Sequence, residues 1–209
     1  MAITTYSELK SAVADLLDRD DLTTQIPTFI SLAEAAFNRG LRHWRMEVRS
    51  QGSQSGGDQY MQIPSDWIET LRIHVMGNGT TPLQLASIDD IADKRDGSDD
   101  TSGRPTHYAM VDSQFELYPT PDADYDIELL YIAKIPALSD SNTTNWLLDE
   151  APDLYLYGAA LHSAPLLQED ERIAVWGQMY GSIGKDLNKA SKRAKYSGSG
   201  LRRKIKGLG

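Results

Sequence analysis

The chain has no cysteine in 209 residues. That excludes a disulfide framework and any thiolate metal site. It fits a reducing compartment without fixing one. No run approaches the roughly 18 apolar residues of a membrane span. The opening, Met1-Ala-Ile-Thr-Thr-Tyr-Ser-Glu8, lacks a basic region followed by an apolar one, so no signal peptide is expected there. There is no Gly-rich phosphate loop, no nucleophile elbow, no HExxH motif and no internal repeat. What remains is ordinary for a globular chain, at 40% hydrophobic and 24% charged residues, and long enough to bury a real core.

Acids are almost missing from one end. Lys185 to Gly209 holds nine Lys/Arg and one acid, Asp186, a net of +8. With the whole chain at −9, residues 1–184 carry −17. A basic arm on an acidic body usually reaches for another molecule. The arm proper follows Ser197-Gly198-Ser199-Gly200. Its candidate partner-binding residues are Leu201, Arg202, Arg203, Lys204, Ile205, Lys206 and Leu208.

Periodicity divides the rest. Thr5 and Glu8 have capping-box spacing before a short helix with Leu9, Val13, Leu16 and Leu17 on one face. A second helix is expected from Thr24 to Val48, with Arg39, Arg42, Arg45 and Arg49 on its outer face. Gln51 to Gly57 reads as a linker. Strand periodicity follows at residues 59–63, 68–76, 81–86, 107–111, 114–118 and 125–133, with a turn at Gly77-Asn78-Gly79 and an acidic loop from Asp93 to Gly103. A thin third helix spans Asp153 to Leu166. A fourth begins near Glu169 with a seam of Ile173, Trp176, Tyr180, Ile183, Leu187, Ala190 and Ala194, the 3–4 spacing of a coiled coil. The expected class is α+β, mainly α: a four-helix bundle (1–50 and 150–196), an inserted small antiparallel β domain (51–149) and an extended basic C-terminal arm (197–209).

Chemistry is sparse. His43, His74, His107 and His162 are far apart in sequence and form no local ligand pair. Asp122-Ala-Asp124-Tyr-Asp126 opens like a calcium loop, but Ile127 and Ala133 stand where glycine and glutamate are required. Asp89 to Asp100 reads as a solvated acidic loop. Trp44, Trp67, Trp146 and Trp176 sit among apolar neighbours and are expected in the core. No catalytic, metal or cofactor residues are assigned, and no enzyme activity is expected. Two other functions stay open: a cell-wall hydrolase, because two carboxylates can meet only in the fold, and a nucleic-acid module that uses the arm.

Several segments, in order, resemble the head–tail adaptor (connector) proteins of tailed bacteriophages. They are Tyr6-Ser-Glu-Leu9, Gln62-Ile-Pro-Ser-Asp-Trp67, Gly103-Arg-Pro-Thr-His-Tyr-Ala-Met-Val111, Leu117-Tyr-Pro-Thr-Pro-Asp-Ala-Asp-Tyr125, Ile135 to Leu148 and Ala151-Pro-Asp-Leu-Tyr-Leu-Tyr-Gly158. The likeness runs from about Thr4 to Tyr180. Each motif is turn chemistry or packing; their order and spacing are specific. The resemblance implies a virion protein assembled in the host cytoplasm, forming a ring, most often of twelve copies, beneath the portal. Such a ring extends the DNA channel, passes DNA without binding it specifically, and receives the tail nozzle or tail fibres. It implies no membrane and no cofactor. In such adaptors the C-terminal segment commonly reaches the portal, and Leu201 to Gly209 occupies the matching place.

Overall fold

The computed structural model describes residues 2–77, 79, 81–97, 101–167 and 171–197. In chain order the elements are α1 (Tyr6–Leu17), α2 (Ile26–Gly40), β1 (Glu47–Gln54), β2 (Tyr60–Gln62), β3 (Trp67–Val75), β4 (Thr81–Pro82), β5 (Gln84–Leu85), α3 (Ile88–Asp96), β6 (His107–Val111), β7 (Gln114–Tyr118), β8 (Tyr125–Ala133), α4 (Trp146–Glu150), α5 (Pro152–His162) and α6 (Arg172–Tyr196). They fall into two units. The described parts of Met1–Met46 and Ile135–Gly209 form a helical one, and Glu47–Lys134 a β-rich one.

In the helical unit, α1 opens with the capping box its sequence spells. The Thr5 hydroxyl accepts from the Glu8 amide, and the Glu8 carboxylate accepts from the Thr5 amide. Leu9, Val13 and Leu17 are buried. Helix α5 is packed by α1, α2, α4 and α6. It can lie close to α2 because Gly158 faces Phe37 and Ala33. A Cβ added there would meet the Phe37 ring at 3.1 Å and the Ala33 methyl at 3.2 Å.

In the β unit two four-stranded sheets, ordered β1-β8-β3-β4 and β2-β7-β6-β5, face one another. Ile73, Val75, Ile127, Leu129 and Tyr131 of the first close on Tyr108, Phe115 and Leu117 of the second. Helix α3 covers the other side of the second sheet, with Ile91 against Ala109 and Tyr118. Gly77 and Gly79 have φ of 87° and 91°, the left-handed region that a tight turn needs and glycine allows. The Arg104 guanidinium draws that turn in by donating from Nη2 to the carbonyls of Val75, Met76, Gly77 and Gly79 at 3.0–3.2 Å.

The expected four-helix bundle with a small antiparallel insert is therefore corrected on both counts. Six α-helices occur among the described residues, one of them inside the β unit, and that unit has two full sheets. It is not wholly antiparallel, because β5 runs parallel to β6. The second helix stops at Gly40, not Val48. Leu41 is extended (φ −87°, ψ 141°), and Asn188 of α6 takes over the released backbone groups, accepting from the Arg42 amide at 2.9 Å and donating to the Gly40 carbonyl at 3.4 Å. The stretch read as a linker is mostly edge strand β1. It pairs residue by residue with β8 from Glu47↔Ile132 to Gln54↔Tyr125, and an edge position tolerates Gly and Ser that a local propensity reading counts against a strand. The supposed acidic loop begins as the last turns of α3. The basic arm, with Leu201, Arg202, Arg203, Lys204, Ile205, Lys206 and Leu208, lies outside the described residues.

Candidate assembly surface

Helix α6 carries the described part of the basic segment, so its setting decides what that segment can do. Its 25 residues are held from the inside by a mixed seam. Trp176 is buried; Ile173, Tyr180, Ile183 and Leu187 are half-buried; Ala190 and Ala194 are exposed. The coiled-coil seam read from the sequence thus extends past the part its own unit covers. Where apolar contact runs out, hydrogen bonds replace it. The Ser191 hydroxyl, itself buried, accepts from the Trp44 amide at 2.8 Å, next to the Asn188 clasp on residues 40–42. At the other end Arg172 stacks over Trp176, 5.1 Å from its ring centre, and donates to the Leu16 carbonyl at 3.2 Å.

The outer surface of α6 is divided lengthwise. Val175 and Met179, exposed to 52% and 46%, form an apolar pair on its first half. Lys185, Lys189, Lys192, Arg193 and Lys195 are exposed on its second half. Arg193 and Lys195 also suit the negative end of the helix dipole, which accounts for two of the five. On a third side, α6 stands away from the end of α2. A groove of about 200 Å³ opens there, lined by Phe37, Gly40, Tyr180, Gly181, Gly184 and Asn188 among others. A Cβ added at Gly181 or Gly184 would meet nothing within 4 Å, unlike one at Gly158.

Two polar clusters fix the ends of the chain segments that enter and leave this unit. At the entry, buried Glu34 of α2 accepts from the Leu138 amide at 2.8 Å and from the Tyr155 hydroxyl at 3.1 Å, both on Oε1. Asn145 donates to the Tyr155 oxygen and to the Pro136 carbonyl, each at 2.7 Å. The Asn38 side chain accepts from the Ile135 amide at 2.9 Å. Burial raises the Glu34 pKa, with those two donors opposing it, and burial likewise raises that of the Tyr155 phenol. At the exit, the buried His43 ring stacks on Trp146 at 5.0 Å and tilts against Trp44 at 5.7 Å. Its Nε2 lies 3.6 Å from one oxygen of Glu150, and Arg45 lies 3.5 Å from the other. Burial lowers the His43 pKa, Glu150 resists the shift and Arg45 adds to it.

The remaining sequence candidates are scattered. His74 is on β3, His107 on β6 and His162 ends α5. Among the described residues no three His, Cys, Asp or Glu side chains gather closely enough to hold a metal. Asp122 and Asp124 act as turn acceptors, for the Tyr125 hydroxyl at 2.6 Å and the Gly56 amide at 3.0 Å. In the β unit, Glu128 is almost buried between Arg49 (3.6 Å) and Arg72 (3.9 Å) and accepts from Gln51. The Arg49 of the expected second helix therefore belongs to a strand. Trp176 is in the core as expected, but Trp44 is 44% exposed, with Arg45 over its ring. Sequence reasoning missed Glu34, whose only signal is an acid among the apolar positions Ile30, Ala33 and Phe37. It also missed α3, although Ser87-Ile-Asp-Asp90 has capping-box spacing. Among the described residues no helix is long and apolar enough to cross a membrane.

Comparison with protein families finds a match over residues 4–204 to the family described as SU10 adaptor protein. No curated protein matches the chain.

Proposed function

The chain belongs to the SU10 adaptor protein family, the phage head–tail adaptors whose motifs its own resemble, and from that premise we propose that it closes into a ring of twelve copies beneath the portal. In this reading the ring extends the DNA channel, docks the tail nozzle or fibres, and uses Leu201, Arg202, Arg203, Lys204, Ile205, Lys206 and Leu208 to grip the portal or a neighbouring copy. Its work is structural and involves no turnover.

The observation that carries this is the charge division. The helical unit's own C-terminal end holds +8, while residues 1–184 hold −17. Free copies repel one another through a net charge of −9, and the basic residues between Leu201 and Gly209 offer an acidic partner surface a complementary charge. An acidic body also gives packaged DNA little to adhere to in transit. A ring follows if each copy grips the next through two different surfaces related by rotation.

Deleting Leu201 to Gly209 and mixing the protein with purified portal tests the role of the arm. Binding weakened at least tenfold is expected; undiminished binding discards that role. Counting subunits by electron microscopy of the portal-bound assembly tests the ring.

A further inference from the structure

We propose that the groove between α2 and α6 receives the exposed Val175–Met179 face of α6 from the neighbouring copy. The inference rests on the ring reading and names the subunit contact within it.

A closed ring of one protein needs two complementary patches on opposite sides of each copy. Helix α6 has such a pair. At about 100° per residue, Val175 and Gly184 point about 180° apart, and Met179 and Gly184 about 140° apart. One side is convex and apolar, with two side chains about half exposed on the first half of the helix; Tyr196, also exposed, stands apart from them at its C-terminal end. The other side is concave and nearly free of side chains, because Gly181 and Gly184 leave space that even a methyl group would not fill. The groove's volume of about 200 Å³ and its walls of Phe37, Leu41 and Tyr180 suit an aliphatic side chain such as methionine.

Charge selects the same occupant. The groove is edged by Lys185, and Arg39 of α2 opposes the burial that raises the pKa of Tyr180 in its wall. The Val175–Met179 face is flanked by the exposed acids Glu171 and Asp186, while Arg172 is turned onto Trp176 and the α1 carbonyls. A groove with a lysine on its edge therefore meets an apolar knob with an acid on either side of it along the helix. A second copy brings both features at once. DNA would be drawn to that edge but offers no knob, and a groove for DNA would not need the two glycines.

The chain's lack of cysteine allows a clean test. The variant Met179→Cys with Gly184→Cys cannot close a disulfide within one helix, where the two Cα atoms stand about 9 Å apart, beyond the ~7 Å limit. Oxidised on the portal, it is expected to give a ladder of covalent multimers on a denaturing gel, ending at the closed ring. Each single-cysteine variant should give none of that ladder. Intact rings by electron microscopy with no ladder would overturn the contact while leaving the ring reading in place. Absence of rings from the unmodified protein on portal would overturn the ring reading, and this contact with it. Gly184→Leu provides a second arm that fills the groove from within. Ring yield should fall at least tenfold with no fall in melting temperature; unchanged yield also overturns the contact.

Discussion

Glu34 is a buried acid whose Oε1 serves two donors, so replacing it separates the value of its charge from the value of its acceptor. Glu34→Ala removes both. The Leu138 amide, 2.8 Å away, and the Tyr155 hydroxyl, 3.1 Å away, would be left in a site that water does not reach. Each unsatisfied buried donor costs about 1–3 kcal/mol. Against that, the desolvation that raises the Glu34 pKa disappears. The two together give an expected loss of about 2–3 kcal/mol at neutral pH. Glu34→Gln keeps a carbonyl acceptor at the same place and sheds the charge. It should lie within about 1 kcal/mol of the natural protein at neutral pH, on either side.

The pH dependence has a fixed sign. A carboxyl whose folded pKa is raised binds its proton more tightly in the folded state. Its contribution is complete below the usual value near 4.5 and is lost as pH rises through the raised value. The stability of Glu34→Gln minus that of the natural protein should therefore become more favourable from pH 4.5 to pH 7.5. Urea unfolding followed by circular dichroism at those two pH values, with equal slopes, measures it. If Gln costs as much as Ala at pH 7.5, or if the difference between Gln and Glu does not move with pH, the reasoning about this network is wrong.

Three further outcomes follow from contacts elsewhere in the helical unit. Gly158→Val should cost about 1–3 kcal/mol, because its side chain would drive into Phe37 and Ala33; Gly184→Ala, facing open space, should gain up to about 1 kcal/mol, and thermal melts compare the two. Ser191→Ala strips the Trp44 amide of its acceptor and should cost about 1–2 kcal/mol in urea unfolding, with a change in tryptophan emission. His43, with its lowered pKa, contributes stability that is present above pH 6.5 and lost as pH falls through the lowered value; His43→Phe keeps the stack on Trp146 and should flatten that acid limb in a pH series of melts.

The features legible in the sequence are those whose causes are local. The Thr5–Glu8 box, the alternation of Tyr125 to Tyr131, the strands at 107–111 and 114–118 and the glycines at the 77–79 turn each depend on neighbours within a few residues. Apart from α3, whose Ser87–Asp90 cap is itself local, the errors are non-local. Arg42 to Val48 has helical periodicity, yet the helix ends because Asn188, nearly 150 residues away, supplies better partners for the backbone. Ser50 to Gln54 lacks strand-forming side chains and is a strand because β8 offers a ladder beside it. Of the candidate surface, the basic residues of α6 were readable as charge. The groove was not, because it arises where Gly181 and Gly184 stand opposite Phe37 and Gly40. A glycine in a helix reads only as a weak point until its neighbour across the gap is known.

The same distinction separates the groups that fix the crossings of the helical unit from those it leaves exposed. Where the chain leaves it, at residues 40–46, and re-enters it, at residues 135–145, the backbone is held by side chains with direction: Asn188, Ser191, Asn38, Glu34 and Asn145. Apolar packing alone tolerates sliding, whereas hydrogen bonds to particular amides fix register, and their loss in a buried place is costly. Polar groups are thus spent on fixing the crossings. Apolar groups are left in part on the outside, at Val175 and Met179, beside the acids Glu171 and Asp186. A monomer gains nothing by exposing them there. In the ring proposed above, each copy would hide that face from water and border it with opposite charge, so that the exposure that costs the free chain would become the contact that closes the assembly.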